Sequence, residues 1–464
     1  MRRFALAFLI AAFGQVWAAS PATAGVTLSS PFQSSVESLV LSRSGVMYGI
    51  TSTQQSHVVV VQLGTRGQIV ASWPVPLPTS KLQRVSADLT IGEEGNAAVA
   101  IEYEDDQYVP TGVSYPHEGP ECCGHIAISS WRLGHAPPVA HDVSPKVSVD
   151  SRQPYWPQIV LAKSEVTAVW IRGNETPYEI GEAEDQLEEA YGKVGRPLHR
   201  RSVLQVPGHM RFLDLHLEPD GRPVASWIDD GSVLRTDIGS VREGLPVSRR
   251  FRALPGKQEA VGFTHDARGH TVFAYVLGKH LMIRASSDGG KFGDAHRVAT
   301  LPSNAIQPAV RAGGDAVLLV SWIAQYVVGH DEGSSDRFDV ELGHIFGDIS
   351  PPFQLPVATN SEADYEGDAT RSFVDSHGRA VLIASRYAHG LVHYEPVLFV
   401  AGEDQRFGPP IPFASNLLNC PFELGRTSTE QEIEPNRGGE AIFETLCEEN
   451  SGRFHQTYFV RFKP

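Results

Sequence analysis

Four stretches of this chain concentrate side chains able to bind or react. Residues 102–124 hold Glu102, Glu104, Asp105, Asp106, Glu118 and Glu121, with no lysine or arginine among them. Residues 172–201 include an acidic run, 179–191, that reads as a short helix. Residues 325–344 carry Asp331, Glu332, Asp336, Asp339 and Glu341. The fourth stretch offers Arg386, Tyr387, His389, His393, Tyr394 and Glu395. Grouped carboxylates suit cations, and calcium takes six to eight oxygens from such loops. Residues 331–339 lack the EF-hand order, having neither its turn glycine nor its closing glutamate. No cofactor is therefore predicted, and calcium is the ion left open. The histidines are scattered, and no His-Glu-x-x-His occurs to argue for zinc.

Glycoside hydrolysis needs two carboxyl groups, or a tyrosine assisted by a glutamate, across the sugar. Arg386, Tyr394 and Glu395 are the candidates for that chemistry. On a strand, however, adjacent Tyr394 and Glu395 face opposite sides. No nucleophile elbow, P-loop or dinucleotide fingerprint is present. The expected binding residues are Glu104, Asp105, Asp106, Asp331, Glu332, Asp336, Arg386, Tyr394 and Glu395.

Charge narrows the partners. The chain has 39 basic and 54 acidic residues, a formal charge of −15. Such a field repels phosphate backbones, which excludes nucleic acid and favours a basic or cationic partner, protein or carbohydrate. Met1-Arg2-Arg3 followed by apolar Phe4 to Gly14 reads as a secretory leader. Cleavage after Ala24 would leave residues 25–464 with 37 basic and 54 acidic groups, or −17. The apolar run is short for a membrane span, so the expectation is a secreted or periplasmic protein and a monomer.

Export favours oxidised cysteines. The chain has four, Cys122, Cys123, Cys420 and Cys447. Cys420 and Cys447 flank the first two strands of the last repeat, which makes them an easy pair. Adjacent Cys122 and Cys123 would then form a vicinal bridge, with cross-pairing, and after it a thiolate metal or redox role, as the alternatives.

What must position these residues is a repeat. A strand, a polar turn and an apolar strand recur, as in the stretches from Leu41, Ile91, Leu161 and Leu217. Further copies lie at residues 265–275, 311–322, 374–385 and 435–443. Their spacing of about 50 residues is blade-sized. A third apolar run and a short fourth follow most copies, giving an antiparallel meander. The reading is an all-β propeller of about eight four-stranded blades, with seven as the alternative. The last copy ends after its third strand at residues 455–462, and residues 25–29 supply the missing outer strand. Trp170, Trp227 and Trp322 sit at blade-packing positions.

In the fifth copy, Ser286-Ser-Asp-Gly-Gly-Lys-Phe292 resembles the Asp-box of sialidase-like secreted propellers. Ser286, Asp288 and Gly290 fit that pattern, and Phe292 comes one residue early. The resemblance implies a propeller, with the box as a structural turn between third and fourth strands. It implies no activity, because one fold hosts many functions. Strands that run alternately put the second-to-third loops on one face, with the connections between blades. The acidic stretches share that face, so the expected function is binding or scaffolding there. The alternative is a sialidase-like hydrolase using the same face.

Overall fold

In the computed structural model the described residues run from Val26 to Phe462. They leave out 29–36, 43, 54–56, 65–67, 79–81, 106–123, 145–152, 174–183, 218–220, 230–233, 239–258, 267–270, 287–291, 304, 328–333, 346–352, 356–369, 375–377, 388–393, 402–405, 413–433, 436–439 and 450–451. Strand β1 is Val26–Leu28, and the first sheet follows as β2 (Glu37–Leu41), β3 (Met47–Thr53), β4 (His57–Leu63) and β5 (Ile69–Val75). The second sheet is β6 (Leu82–Ile91), β7 (Asn96–Asp105), β8 (Gly124–Arg132) and β9 (His141–Asp142). The third is β10 (Gln153–Ala162), β11 (Glu165–Gly173), β12 (Glu184–Lys193) and β13 (His199–Pro207). The fourth has three described strands, β14 (Met210–Leu217), β15 (Pro223–Asp229) and β16 (Leu234–Ile238). The fifth is β17 (Glu259–His265), β18 (Thr271–Leu277), β19 (His280–Ala285) and β20 (His296–Thr300). The sixth is β21 (Ala305–Ala312), β22 (Val317–Val327), β23 (Ser334–His344) and β24 (Phe353–Leu355). The seventh is β25 (Thr370–Val374), β26 (Ala380–Tyr387), β27 (Tyr394–Ala401) and β28 (Ile411–Pro412). The eighth orders as β1, β31 (Gly452–Phe462), β30 (Glu440–Glu449) and β29 (Glu434–Pro435).

Each sheet is an antiparallel meander in chain order, and this repeated arrangement is that of a β-propeller. The eighth sheet departs from chain order at one place. Its outer strand is β1, paired antiparallel with β31 from Val26 opposite Phe462 to Leu28 opposite Val460. The expected closure by the N-terminal strand is therefore what the chain does. Strand β2 also packs against β29 and β30, which joins the first sheet to the last. Pairing the chain's two ends protects edges that would otherwise be open.

Second strands are apolar because they are covered on both sides. Ala97 to Ile101 in β7 and Val166 with Ala168 to Ile171 in β11 are fully buried. A strand sandwiched between neighbouring sheets reads as a continuous apolar run rather than an alternating one. Trp170, Trp227 and Trp322 are at most 2% exposed, at the blade-packing positions expected of them. Apolar residues of consecutive sheets mesh, as Ala98, Ala100 and Ile128 do with Ile159, Ala168 and Trp170.

First strands carry a different signature. In six sheets the pairing of first with second strand is interrupted by a register shift, for example between Arg211 and Asp214 in β14. A bulge adds local twist and re-aims the residues beside it.

Of the expected turn between third and fourth strands in the fifth sheet, the two flanks are described. Ser286 bridges Phe292, and Gly293 N–H donates to the Ala285 carbonyl at 2.9 Å. Asp288 and Gly290 lie outside the described residues. The same geometry recurs in the seventh sheet, where Ala401 bridges Phe407 and Gly408 N–H donates to the Val400 carbonyl at 2.9 Å. The second copy lacks the serine, so its sequence hides it. The spacing to Phe-Gly is shared, and each phenylalanine packs against buried core.

Three expectations about elements are corrected. Residues 184–191 are part of strand β12, not a helix. Their carboxylates fit a strand because partners receive them: Glu188 accepts from Trp170 Nε1 at 2.9 Å and Arg200 at 2.6 Å. The stretch 325–344 is mostly hairpin, since β22 runs to Val327 and β23 begins at Ser334. Cys447 falls within β30 opposite Phe454, rather than after the second strand. Cys122, Cys123 and Cys420 lie outside the described residues.

Candidate functional site

The acidic stretches resolve into strand ends. Glu104 and Asp105 close β7, with Glu104 opposite Gly124 and Asp105 opposite Leu82. Asp336 lies in β23 opposite Gln325. Arg386 pairs in register with Glu395, and Tyr387 with Tyr394. Asp106, Asp331 and Glu332 lie outside the described residues. These positions sit where second strands turn into third strands, in the second, sixth and seventh sheets. Glu184, Asp229, Glu448 and Glu449 occupy equivalent ends elsewhere, with Arg172, Arg235 and Arg453 as basic counterparts. The structure thus places the expected residues at one end of the sheets but on separate sheets. Tyr394 and Glu395 are consecutive residues at the start of β27.

A tighter constellation, which sequence reading did not gather, lies on the innermost strands. In β14, Asp214 and His216 are two apart and share a face. The last residue of β17, His265, approaches them from the next sheet. Asp214 Oδ2 accepts from His265 Nε2 at 2.8 Å and from His216 Nδ1 at 3.1 Å. The two imidazole rings lie 3.5 Å apart, centroid to centroid, tilted by 32°. On its far side, His265 Nδ1 meets Thr271 Oγ1 at 3.3 Å. Thr271 N–H in turn donates to Ser286 Oγ at 2.8 Å, tying the cluster to the residue that follows β19. Nε2 of His216 is buried without a hydrogen-bond partner.

These groups sit deep in the molecule yet keep an aqueous side, with 33% of the Asp214 side chain exposed. Burial raises the Asp214 pKa, but hydrogen bonds from both histidines, and their charge, hold it well below the usual carboxylate range. For His265, burial and the neighbouring His216 together lower the pKa, against the pull of Asp214. Nearby, Asp88 of β6 accepts from Ile159 N–H at 2.7 Å and Leu89 N–H at 2.9 Å. Burial dominates there and pushes Asp88 up to about 7, with Asp214 adding to the shift. The cluster lies at the exit of the first strands. It is therefore at the end opposite the second-to-third turns.

A second polar group stitches the third sheet. Asp185, fully buried, accepts from Met210 N–H at 2.7 Å and Tyr155 O–H at 3.2 Å. Its role is structural, joining β12 to the next sheet.

No family model matches the chain, and no curated protein matches it. Among solved structures, prolyl oligopeptidase B from Galerina marginata is similar at 12% identity and a TM-score of 0.46, over 94% of this chain and 55% of that one. This chain thus spans about half the length of that enzyme. The WD40 domain of SCAP from fission yeast is similar at 6% identity and a TM-score of 0.46, over 94% and 98% of the two chains. The polysaccharide lyase Uly1 is similar at 9% identity and a TM-score of 0.41, over 92% and 90%. The propeller assignment rests on this chain's own sheet order. Among the described residues, no helix is long and apolar enough to cross a membrane.

Proposed function

We propose that this chain is an exported binding propeller, a scaffold module with no catalysis assigned, that engages a basic or cationic partner. Its contact face is the one formed by second-to-third strand turns. The observation that carries this reading is the register at those turns. Glu104, Asp105, Asp336 and Glu395 lie at or near the same end of three sheets, in a chain of net charge −15. Loops on a rigid scaffold are where binding residues concentrate. The leader pattern over residues 1–24 supports export.

An oligolysine peptide titrated into the purified chain tests the reading. Binding should weaken at least tenfold between 50 and 300 mM salt, because exposed charges are screened (about 8 Å at physiological strength). It should fall similarly in the triple variant Glu104→Gln, Asp105→Asn, Glu395→Gln. Salt-independent binding, or an unchanged triple variant, overturns the face assignment. Turnover of sialosides or aryl glycosides that disappears in Glu395→Gln would replace binding by hydrolysis.

A further inference from the structure

We infer that Asp214, His216 and His265 bind one divalent first-row transition ion of the zinc class, at the inner edge of the fourth and fifth sheets. One ligand atom from each residue lies within 4.8 Å of the others. Bonds of about 2.0–2.1 Å place neighbouring ligand atoms about 2.9 Å apart at right angles and about 3.3 Å apart at tetrahedral angles. The contacts from Asp214 Oδ2 to the two ring nitrogens, 2.8 and 3.1 Å, fall at that spacing.

Hydrogen bonding within the cluster accounts for those distances too, and the same two nitrogens, Nδ1 of His216 and Nε2 of His265, would be the ligand atoms. The ring of His265 has the support that a metal-bound imidazole has. Its Nδ1 faces Thr271 Oγ1, and Thr271 is held by Ser286, so the ring orientation is fixed from behind. Strands β14 and β17 supply the ligands from two sheets, so the ion would join neighbouring blades.

The donor set chooses the ion. Two imidazoles and one carboxylate suit zinc and its first-row neighbours, whereas calcium and magnesium want all-oxygen shells. Three protein ligands leave coordination positions open, and Asp214 keeps a solvent-facing side on which water or a ligand group fits.

The test uses the full chain, purified with a histidine-free tag and stripped with EDTA. Calorimetric titration with zinc chloride should give one equivalent per chain, and calcium chloride should give none. Asp214→Asn, His216→Gln and His265→Gln should each weaken zinc at least tenfold, while His135→Gln at an exposed histidine should not. Diethylpyrocarbonate labelling of the unaltered chain provides a second readout that needs no variant to fold. Zinc should protect His216 and His265 and leave His135 reactive. Absence of zinc binding, full binding in the Asp214 and His216 variants, or protection elsewhere overturns the assignment. Calcium binding as tight as zinc overturns the choice of ion. Oligolysine binding at the opposite end is unaffected by any of these results, so the two readings fail separately.

Discussion

Replacing Asp88 by asparagine should remove a pH dependence built into the axis of the propeller. Asp88 titrates in the folded chain at about 7, raised from 3.8 mainly by burial. A carboxyl group with a raised folded pKa binds its proton more tightly when folded. Its contribution is therefore largest below the unfolded pKa and is lost as pH rises through the folded one. Between pH 5 and pH 8 the two values imply a loss of about 3 kcal/mol. For a domain of this length, roughly 1 °C of melting temperature corresponds to each kcal/mol. The unaltered chain should thus lose about 3 °C more than Asp88→Asn over that interval. Only the pH dependence is diagnostic, because asparagine also gives up one of two acceptors for Ile159 and Leu89 N–H. The assay is thermal or urea unfolding at both pH values in EDTA, since a cation near Asp214 would alter Asp88. Melting curves for the two proteins that move in parallel with pH would refute the assignment of a raised pKa to Asp88.

Other outcomes follow from the same geometry. A methyl group at Gly173 would collide with the Asp185 carboxylate and the Tyr155 hydroxyl, so Gly173→Ala should cost about 1–3 kcal/mol in urea unfolding. Glu188→Ala strips the acceptor from Trp170 and Arg200 and should cost about 3 kcal/mol, with Glu188→Gln, which keeps an acceptor, costing less. A chain beginning after Ser29 leaves the outer edge of β31 unpaired; it should melt lower and aggregate faster by light scattering. At Asp142, burial raises the pKa, but hydrogen bonds from His125 and Ser144 outweigh it and hold it low. Its stabilisation is present above the unfolded value and lost as pH falls through the folded one. The stability gap between Asp142→Asn and the unaltered chain should therefore close in acid denaturation.

The architecture was legible in the sequence because its determinants are local. Each sheet is a meander of consecutive strands, so period-two runs and turn residues reported it without long-range contacts. The closure was legible too: a last repeat short of one strand and a spare N-terminal strand imply each other. The helix expected over 179–191 failed at 184–191, because acidity looked like solvent exposure. In β12 the buried carboxylates of Glu188 and Glu189 meet Arg200 and Arg201 from the adjoining strand, a pairing that only register reveals.

The axial cluster was decided by tertiary structure alone. Asp214 and His216 share a strand, but His265 belongs to the next repeat and Asp88 to a repeat two before. Packing of first strands from different repeats brings these groups together, and in β14 the register shift falls directly before Asp214. Nothing in the spacing of isolated histidines encodes that. Sequence by itself determined that the chain is a series of four-stranded meanders, about eight or seven of them, and that the N-terminal strand completes the last, because neighbouring strands pair. Only the folded ring decided which polar groups meet, because that depends on distances between repeats that share no local signal.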